Sequence, residues 1–191
     1  MIRIAIVGEI GSGKSYVSSA LGLPVFNADK EVSKIYNNNK KIYFKLKKNF
    51  PKFIKSYPIE KNELFDAIIK NRKNIKTISS LIHPIVRNKM NKFLKNNKRK
   101  KAIVLDIPLY FENKIYKKKD IVIYVHAKKS QIIKKLKLRS GFNFKIYELL
   151  KKIQLSNEQK RKKSNFIVKN NFNKTSLKKE INMIRLKILK K

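Results

Sequence analysis

An α/β fold with a five-stranded parallel sheet is predicted by three observations. Short apolar runs alternate with amphipathic helical stretches along 191 residues. The first run, "IRIAIV" (2–7), leads directly into "GEIGSGKS" (8–15). A long helical stretch then separates the second apolar run from the third, which marks an insertion in the sheet's order.

The elements follow in order. "IRIAIV" reads as a buried strand, and a helix follows from about Lys14 to Leu21. "LPVF" (23–26) is a second strand. In "IYFKLKKNF" (42–50) and "NELFDAIIKNRKNIKTISSLI" (62–82), apolar residues recur every three or four positions. Residues 30–98 are therefore expected to be mostly helical, with a break near "FPKFIKSYPIE" (50–60). The basic run "NNKRKK" closes this insertion. "AIVLDIP" (102–108) and "DIVIYVHA" (120–127) are the third and fourth strands. "KSQIIKKLKLR" (129–139) and "FKIYELLKKIQ" (144–154) are amphipathic helices. "NFIVKN" (165–170) is a weaker fifth strand, and a final helix starts near Ser176.

Composition narrows the function classes. With 42% hydrophobic residues the chain can bury a core. The absence of cysteine excludes disulfides and thiolate chemistry, and fits a reducing compartment. The apolar start is too short for a signal peptide, and no stretch is long enough to span a bilayer, so a cytoplasmic protein without a membrane partner is expected. The formal charge of +37 has two readings. A polyanionic partner is one. The other is drift towards residues with A- and T-rich codons, since Lys, Asn, Ile, Phe and Tyr abound while Gly and Pro are scarce. The scatter of the lysines favours drift, and no dedicated nucleic-acid partner is expected.

"GEIGSGKS" matches the phosphate-binding loop G-x-x-x-x-G-K-[ST], with the strand before it and helix after it that the motif needs. Its glycines permit a tight turn, so that backbone N–H groups from Gly11 to Ser15 can face an anion. Lys14 suits the β- and γ-phosphates and the Ser15 hydroxyl suits Mg²⁺. The expected nucleotide-binding set is Gly11, Ser12, Gly13, Lys14, Ser15 and Tyr16. The fold is thus expected to be a P-loop NTPase core that binds a nucleotide with Mg²⁺.

Other residues carry two readings each. Asp29, just past the second strand, can take a proton from an attacking hydroxyl, or can cap the following helix. Asp106, closing the third strand, can hold Mg²⁺, or can serve as a turn residue before Pro108. Glu112 reads as a loop acid or a helix-start acid. Pro84 reads as a helix start, which puts His83 at or near an N-cap. His126 reads as structural. Lys135 and Arg139, four apart, share a helix face and can close over phosphates, although a lysine-rich helix offers such pairs by chance.

Together, "GEIGSGKS", "FNADK", "LIHPIVR", "LDIPLYFE", "KKLKLRSG" and "IQLSNEQKRKKSNFIVKN" resemble, in order and over nearly the whole chain, the dephospho-coenzyme A kinase family. The loop is shared with many kinases, whereas the His-Pro and "DIPLYFE" pair is more specific. The resemblance implies ATP-dependent phosphorylation of the ribose 3′-hydroxyl of dephospho-coenzyme A. It implies a core of 1–29, 99–129 and 161–191, a helical substrate-binding insertion of 30–98, and a small helical lid of 130–160. It also implies Asp29 as general base, Arg139 as a lid arginine on the phosphates, and His83, Asp106 and Lys135 on the substrate side. The chain departs from the family pattern at Glu9 (usually Gly), Asn27 and Asn165 (usually acids) and Lys135 (usually Arg). Against other small-molecule kinases of nucleoside or shikimate type stands the specific motif pair. Against a basic nucleotide switch or nucleic-acid binder stands the lack of Asp-x-x-Gly and Asn-Lys-x-Asp elements. A monomer or weak homo-oligomer is expected.

Overall fold

The computed structural model describes residues 1–139 and 141–190; Ser140 of the expected lid and Lys191 of the expected core lie outside the described residues. The chain divides into two compact units, Met1–Asn27 with Asn96–Lys191, and Ala28–Lys95.

The first unit is built on five parallel strands. They are β1 (Ile2–Gly8), β2 (Val25–Asn27), β3 (Ala102–Asp106), β4 (Ile121–His126) and β5 (Phe166–Lys169), in the order β2-β3-β1-β4-β5. Register sets Ile6 of β1 opposite Asp106 of β3, and Asn27 of β2 opposite the same Asp106. β1 is apolar and buried from Ile4 to Val7, with Arg3 near its start paired to Asp120, and β3 is buried throughout and apolar up to Asp106, as expected for central strands covered on both faces. Helices α1 (Lys14–Ala20) and α9 (Lys174–Leu189) lie on one face. There Val17, Leu21, Leu177, Ile181 and Ile188 pack against Ile4, Val104, Ile123 and Val168. Between β4 and β5 come α6 (Lys129–Lys137), α7 (Phe144–Lys152) and α8 (Asn157–Lys162).

The second unit is helical: α2 (Ala28–Asn38), α3 (Lys40–Asn49), α4 (Lys61–Lys70) and α5 (Asn74–Asn96), the last ending at the junction with the first unit. The Asn39 side chain caps α3 by accepting from the Ile42 N–H at 3.1 Å. The expected break at 50–60 is a loop with a cis Tyr57–Pro58 bond, and Glu63 of α4 accepts from the Lys55 and Ser56 N–H groups there. Buried Ile35, Leu46, Ile54, Leu64 and Ile82 supply apolar burial in this unit. Among the described residues, no helix is long and apolar enough to cross a membrane.

Several boundaries differ from those the sequence suggests. β2 starts at Val25 rather than Leu23, because Pro24 has no N–H to give the ladder; its carbonyl accepts from Val104 at 2.8 Å. β3 stops at Asp106, two residues short of Pro108. α8 is a separate helix that apolar periodicity does not reveal. It starts with a capping box in which Ser156 and Gln159 satisfy each other's backbone.

The largest correction concerns His83. Pro84 does not start a helix: it lies inside α5, which runs unbroken from Asn74 to Asn96, so His83 is a mid-helix residue and not a cap. Apolar residues at helical spacing on both sides, Ile78 and Ile82 before the proline and Val86, Met90 and Phe93 after it, outweigh the loss of one N–H. Pro84 and Ser80, whose carbonyl loses its helical donor, are both exposed, so water can reach that carbonyl.

Candidate active site

The site grows from the turn that ends β1. Gly13, with φ of 93°, is left-handed, and its carbonyl accepts the first N–H bonds of α1 from Tyr16 and Val17, both at 3.1 Å. The Ser12 N–H closes the turn on the Glu9 carbonyl at 3.1 Å. Ser12 is therefore bonded within the loop through its own amide, which is one of the N–H groups the sequence suggests for an anion. Lys14 is buried and its Nζ curls back along the loop, donating to the Glu9 carbonyl at 2.8 Å and the Gly8 carbonyl at 3.3 Å. Ser15 is exposed on the first turn of α1. Tyr16 lines a groove of about 350 Å³ with Lys174, Thr175, Lys178, Lys179 and Asn182 around the start of α9.

The loop is held from outside by groups that motif reading does not single out. The Asn170 side chain, buried just past β5, donates to the Ser12 carbonyl at 2.8 Å, and its own N–H donates to the His126 carbonyl at 2.7 Å. A Cβ on Gly13 would stand 2.2 Å from Asn170 Nδ2. A Cβ on Gly11 would stand about 3 Å from Leu136 and Ile132, so α6 lies directly on the loop. Ile132 and Leu136 join Ala127 and Tyr147 in a small apolar cluster, with Ile10 of the loop and Phe172 packed against it.

Asp106 is 3% exposed and stands beside the loop's strand. Its Oδ2 accepts from Asn27 Nδ2 at 2.6 Å. The amide at position 27 thus supplies a donor that an ionised aspartate would lack. Asn165, the other replaced acid, keeps an acceptor function: its Oδ1 takes the Val122 N–H at 2.8 Å and starts the β4–β5 pairing. Glu112 is more than a loop acid. Its Oε1 accepts from the Leu155 N–H at 2.7 Å and pairs with buried Lys160 of α8 at 3.8 Å. Burial drives the Lys160 ammonium below the ordinary lysine range, opposed by the charges of Glu112 and Glu9.

Lys135 and Arg139 are both exposed, but they do not share a helix, because α6 ends at Lys137 and Arg139 follows the C-cap Leu138. The Arg139 N–H still bonds to the Leu136 carbonyl at 3.0 Å, so the chain continues in a turn. Lys135 Nζ sits 5.9 Å from the centre of the Phe172 ring. His126 is exposed at the end of β4, beside the Tyr124 ring.

In the second unit, Asp29 is exposed in the first turn of α2. Glu31, two residues further on, pairs with Lys34 at 2.7 Å and with Lys89 of α5 at 2.9 Å, tying α2 to α5. His83 is half-buried on α5; burial first, then the charge of Arg87, hold its imidazole below the ordinary histidine range. The structure therefore gathers Gly11 to Tyr16, Asp106 and α6 in the first unit, and carries Asp29 and His83 in the second.

A parallel sheet of this order, with a glycine-rich turn between its central strand and a helix and a buried carboxylate on the next strand, defines a P-loop nucleotide-binding protein with the fold of the P-loop kinases. The family model for dephospho-CoA kinase matches residues 2–176, and the chain belongs to that family. A dephospho-CoA kinase of Wolbachia pipientis is 34% identical over 170 residues, covering 86% of this chain and 87% of the relative. One from Fusobacterium nucleatum is 32% identical over 183 residues, covering 93% and 94%. Among solved structures, a Thermus thermophilus protein aligns with a TM-score of 0.77 at 25% identity, over 97% of each chain. Dephospho-CoA kinase from Campylobacter jejuni aligns at 0.65 and 24%, over 99% of this chain and 98% of its own. A shikimate kinase from Bacteroides thetaiotaomicron, at 0.52 and 9% over 100% and 99%, shares the fold.

Proposed function

We propose that the chain transfers the γ-phosphoryl group of ATP to the ribose 3′-hydroxyl of dephospho-CoA, the last step of CoA biosynthesis. The observation that carries this reading is the family match over residues 2–176, which takes in both the phosphate loop and the "LIHPIVR" and "LDIPLYFE" stretches.

Each side chain has a proposed part. The loop from Gly11 to Ser15 cradles the phosphates, and Lys14 supplies the positive charge at the β- and γ-phosphates. Tyr16, at the start of α1, is assigned to the nucleotide-binding set with the loop. Ser15 and Asp106 would hold Mg²⁺. The oxygen donors fit: a hydroxyl and a buried carboxylate suit a hard cation. Mg²⁺ held there would complete its shell with phosphate oxygens and water. When bound, Mg²⁺ offsets the charge that builds on the phosphates.

Asp29 accepts the proton of the acceptor hydroxyl as that oxygen bonds to phosphorus and the bond to ADP breaks. His83 helps hold the substrate; its lowered pKa keeps it a neutral hydrogen-bonding group at pH 7. Helices α6 to α8 serve as the lid. Arg139 and Lys135 close over the phosphates and exclude water, which would otherwise accept the phosphoryl group. Lys135 keeps the charge of the usual arginine without its two-pronged grip. The helical second unit, Ala28–Lys95, presents the substrate. We read the protein as cytoplasmic, acting on small molecules, monomeric or weakly self-associating, and without a dedicated nucleic-acid or membrane partner.

The test is direct. The protein is incubated with ATP, Mg²⁺ and dephospho-CoA, in parallel with shikimate and nucleosides as acceptors. ADP and a 3′-phosphorylated product are expected from dephospho-CoA alone. Transfer to another acceptor instead, or no transfer, would sink the reading.

A further inference from the structure

Glu9 places a negative charge inside a loop fitted for anions, at a position that is usually glycine in the family it resembles. Its carboxylate is buried and engages α7 and α8. Oε1 accepts from the Tyr147 hydroxyl at 2.9 Å, and Oε2 accepts from Asn157 Nδ2 at 2.9 Å. Lys151 Nζ stands 3.7 Å from Oε1 and 5.9 Å from the centre of the Tyr147 ring. Burial by itself pushes this carboxyl up, but the Asn157 and Tyr147 hydrogen bonds and the Lys151 charge more than offset it, so Glu9 stays ionised at pH 7. The opposite side of the same residue faces the catalytic lysine. Its carbonyl accepts from Lys14 Nζ at 2.8 Å and from the Ser12 N–H at 3.1 Å.

We propose that Glu9 is a positioning residue that pins the α7–α8 segment to the phosphate loop and, through its carbonyl, ties the placing of Lys14 to that segment. The carboxylate does not act as a bare charge facing the phosphates, because two donors and a cation from α7 and α8 already match it. A segment held against the loop needs less ordering when nucleotide binds. The pin therefore acts mainly on nucleotide binding. The kinetic part of this inference rests on the phosphotransfer reading; the structural part does not.

Three variants test it: Glu9→Ala, Tyr147→Phe and the double variant. Tyr147→Phe leaves the loop sequence intact and supplies the same readouts should Glu9→Ala fail to fold. In nucleotide-free protein, backbone amides of residues 144–157 are expected to exchange hydrogen roughly ten-fold faster in either variant, the scale of one lost charge-assisted hydrogen bond. The KM for ATP is expected to rise about three- to ten-fold on the same scale, with kcat changing less. The double variant is expected to resemble Glu9→Ala alone, since Tyr147 acts through Glu9. Unchanged exchange over 144–157, a loss in kcat with KM unaltered, or additive effects in the double variant would overturn the proposal. Should the wild type transfer no phosphoryl group, the functional reading falls and the exchange measurement still decides this one.

Discussion

Asn27 and Asp106 are joined by a 2.6 Å hydrogen bond across the carboxyl ends of β2 and β3. The amide donates, and the buried carboxylate accepts. Replacing Asn27 with Asp would set two carboxylates at hydrogen-bond distance with no proton between them. Asn27→Asp is expected to lose about 1–3 kcal/mol at pH 7, the cost of a buried acceptor stripped of its donor plus repulsion. Millimolar Mg²⁺ should narrow the gap, because a cation held at Asp106 would offset the added charge. Thermal melts of both proteins with Mg²⁺ and with chelator check this. A gap that Mg²⁺ leaves unaltered would count against Asp106 as a metal ligand.

The base assignment predicts a split between chemistry and binding. Asp29→Asn is expected to lower kcat by about 10²- to 10⁴-fold while ATP affinity changes by no more than about two-fold. Single-turnover phosphoryl transfer and equilibrium ATP binding separate the two. Normal turnover in this variant would remove Asp29 from the mechanism.

Asn170 supports the loop by donating to Ser12. Asn170→Asp keeps the shape but turns an acceptor towards the Ser12 carbonyl. It is expected to cost about 1–3 kcal/mol in urea unfolding and to weaken ATP binding. A companion variant, Gly13→Ala, is expected to be worse, since its methyl would meet Asn170 at 2.2 Å on a backbone with φ of 93°. Wild-type ATP affinity in both would show that the loop does not depend on this contact.

His83 gives a pH signature. Its folded-state pKa is depressed, by burial and then by Arg87, so the unfolded chain takes up this proton first. The stability tied to neutral His83 is whole above the ordinary histidine value, near 6.5, and is lost as pH falls through the lower folded value. Between about pH 7 and pH 5, the wild type is therefore expected to lose stability relative to His83→Gln. Parallel curves for the two proteins over that range would contradict the shift.

The residues that the sequence made legible are those whose chemistry is local. A strand, a glycine turn and the start of a helix lie within 15 residues, so the loop between them can be read directly. Asp106 is legible because it ends an apolar run. The supports are different. Asn170 meets Ser12 across 158 positions, and Tyr147 meets Glu9 across 138. An asparagine or tyrosine in such a chain carries no local sign of its partner. The partial exception is α8, whose Ser156–Gln159 pair is a capping box readable in the sequence. Pro84 misled for the opposite reason: a local start signal was overruled by helix on both flanks. The Glu9 charge was legible, whereas its matching donors could come only from the fold.

The strand order bears on how the chain is made. β1 is central, and its neighbours are β3 and β4, with Ile2 paired to Ala102 and Ile4 to Ile121. During synthesis the nascent β1 must wait for both neighbours, while the intervening helices can already form local structure as they leave the ribosome. Sheet closure is then the late, slow step, set by the loss of chain entropy in joining such distant segments. Until it occurs, one of the most apolar stretches of the chain has no sheet partner and is a natural client for a holding chaperone.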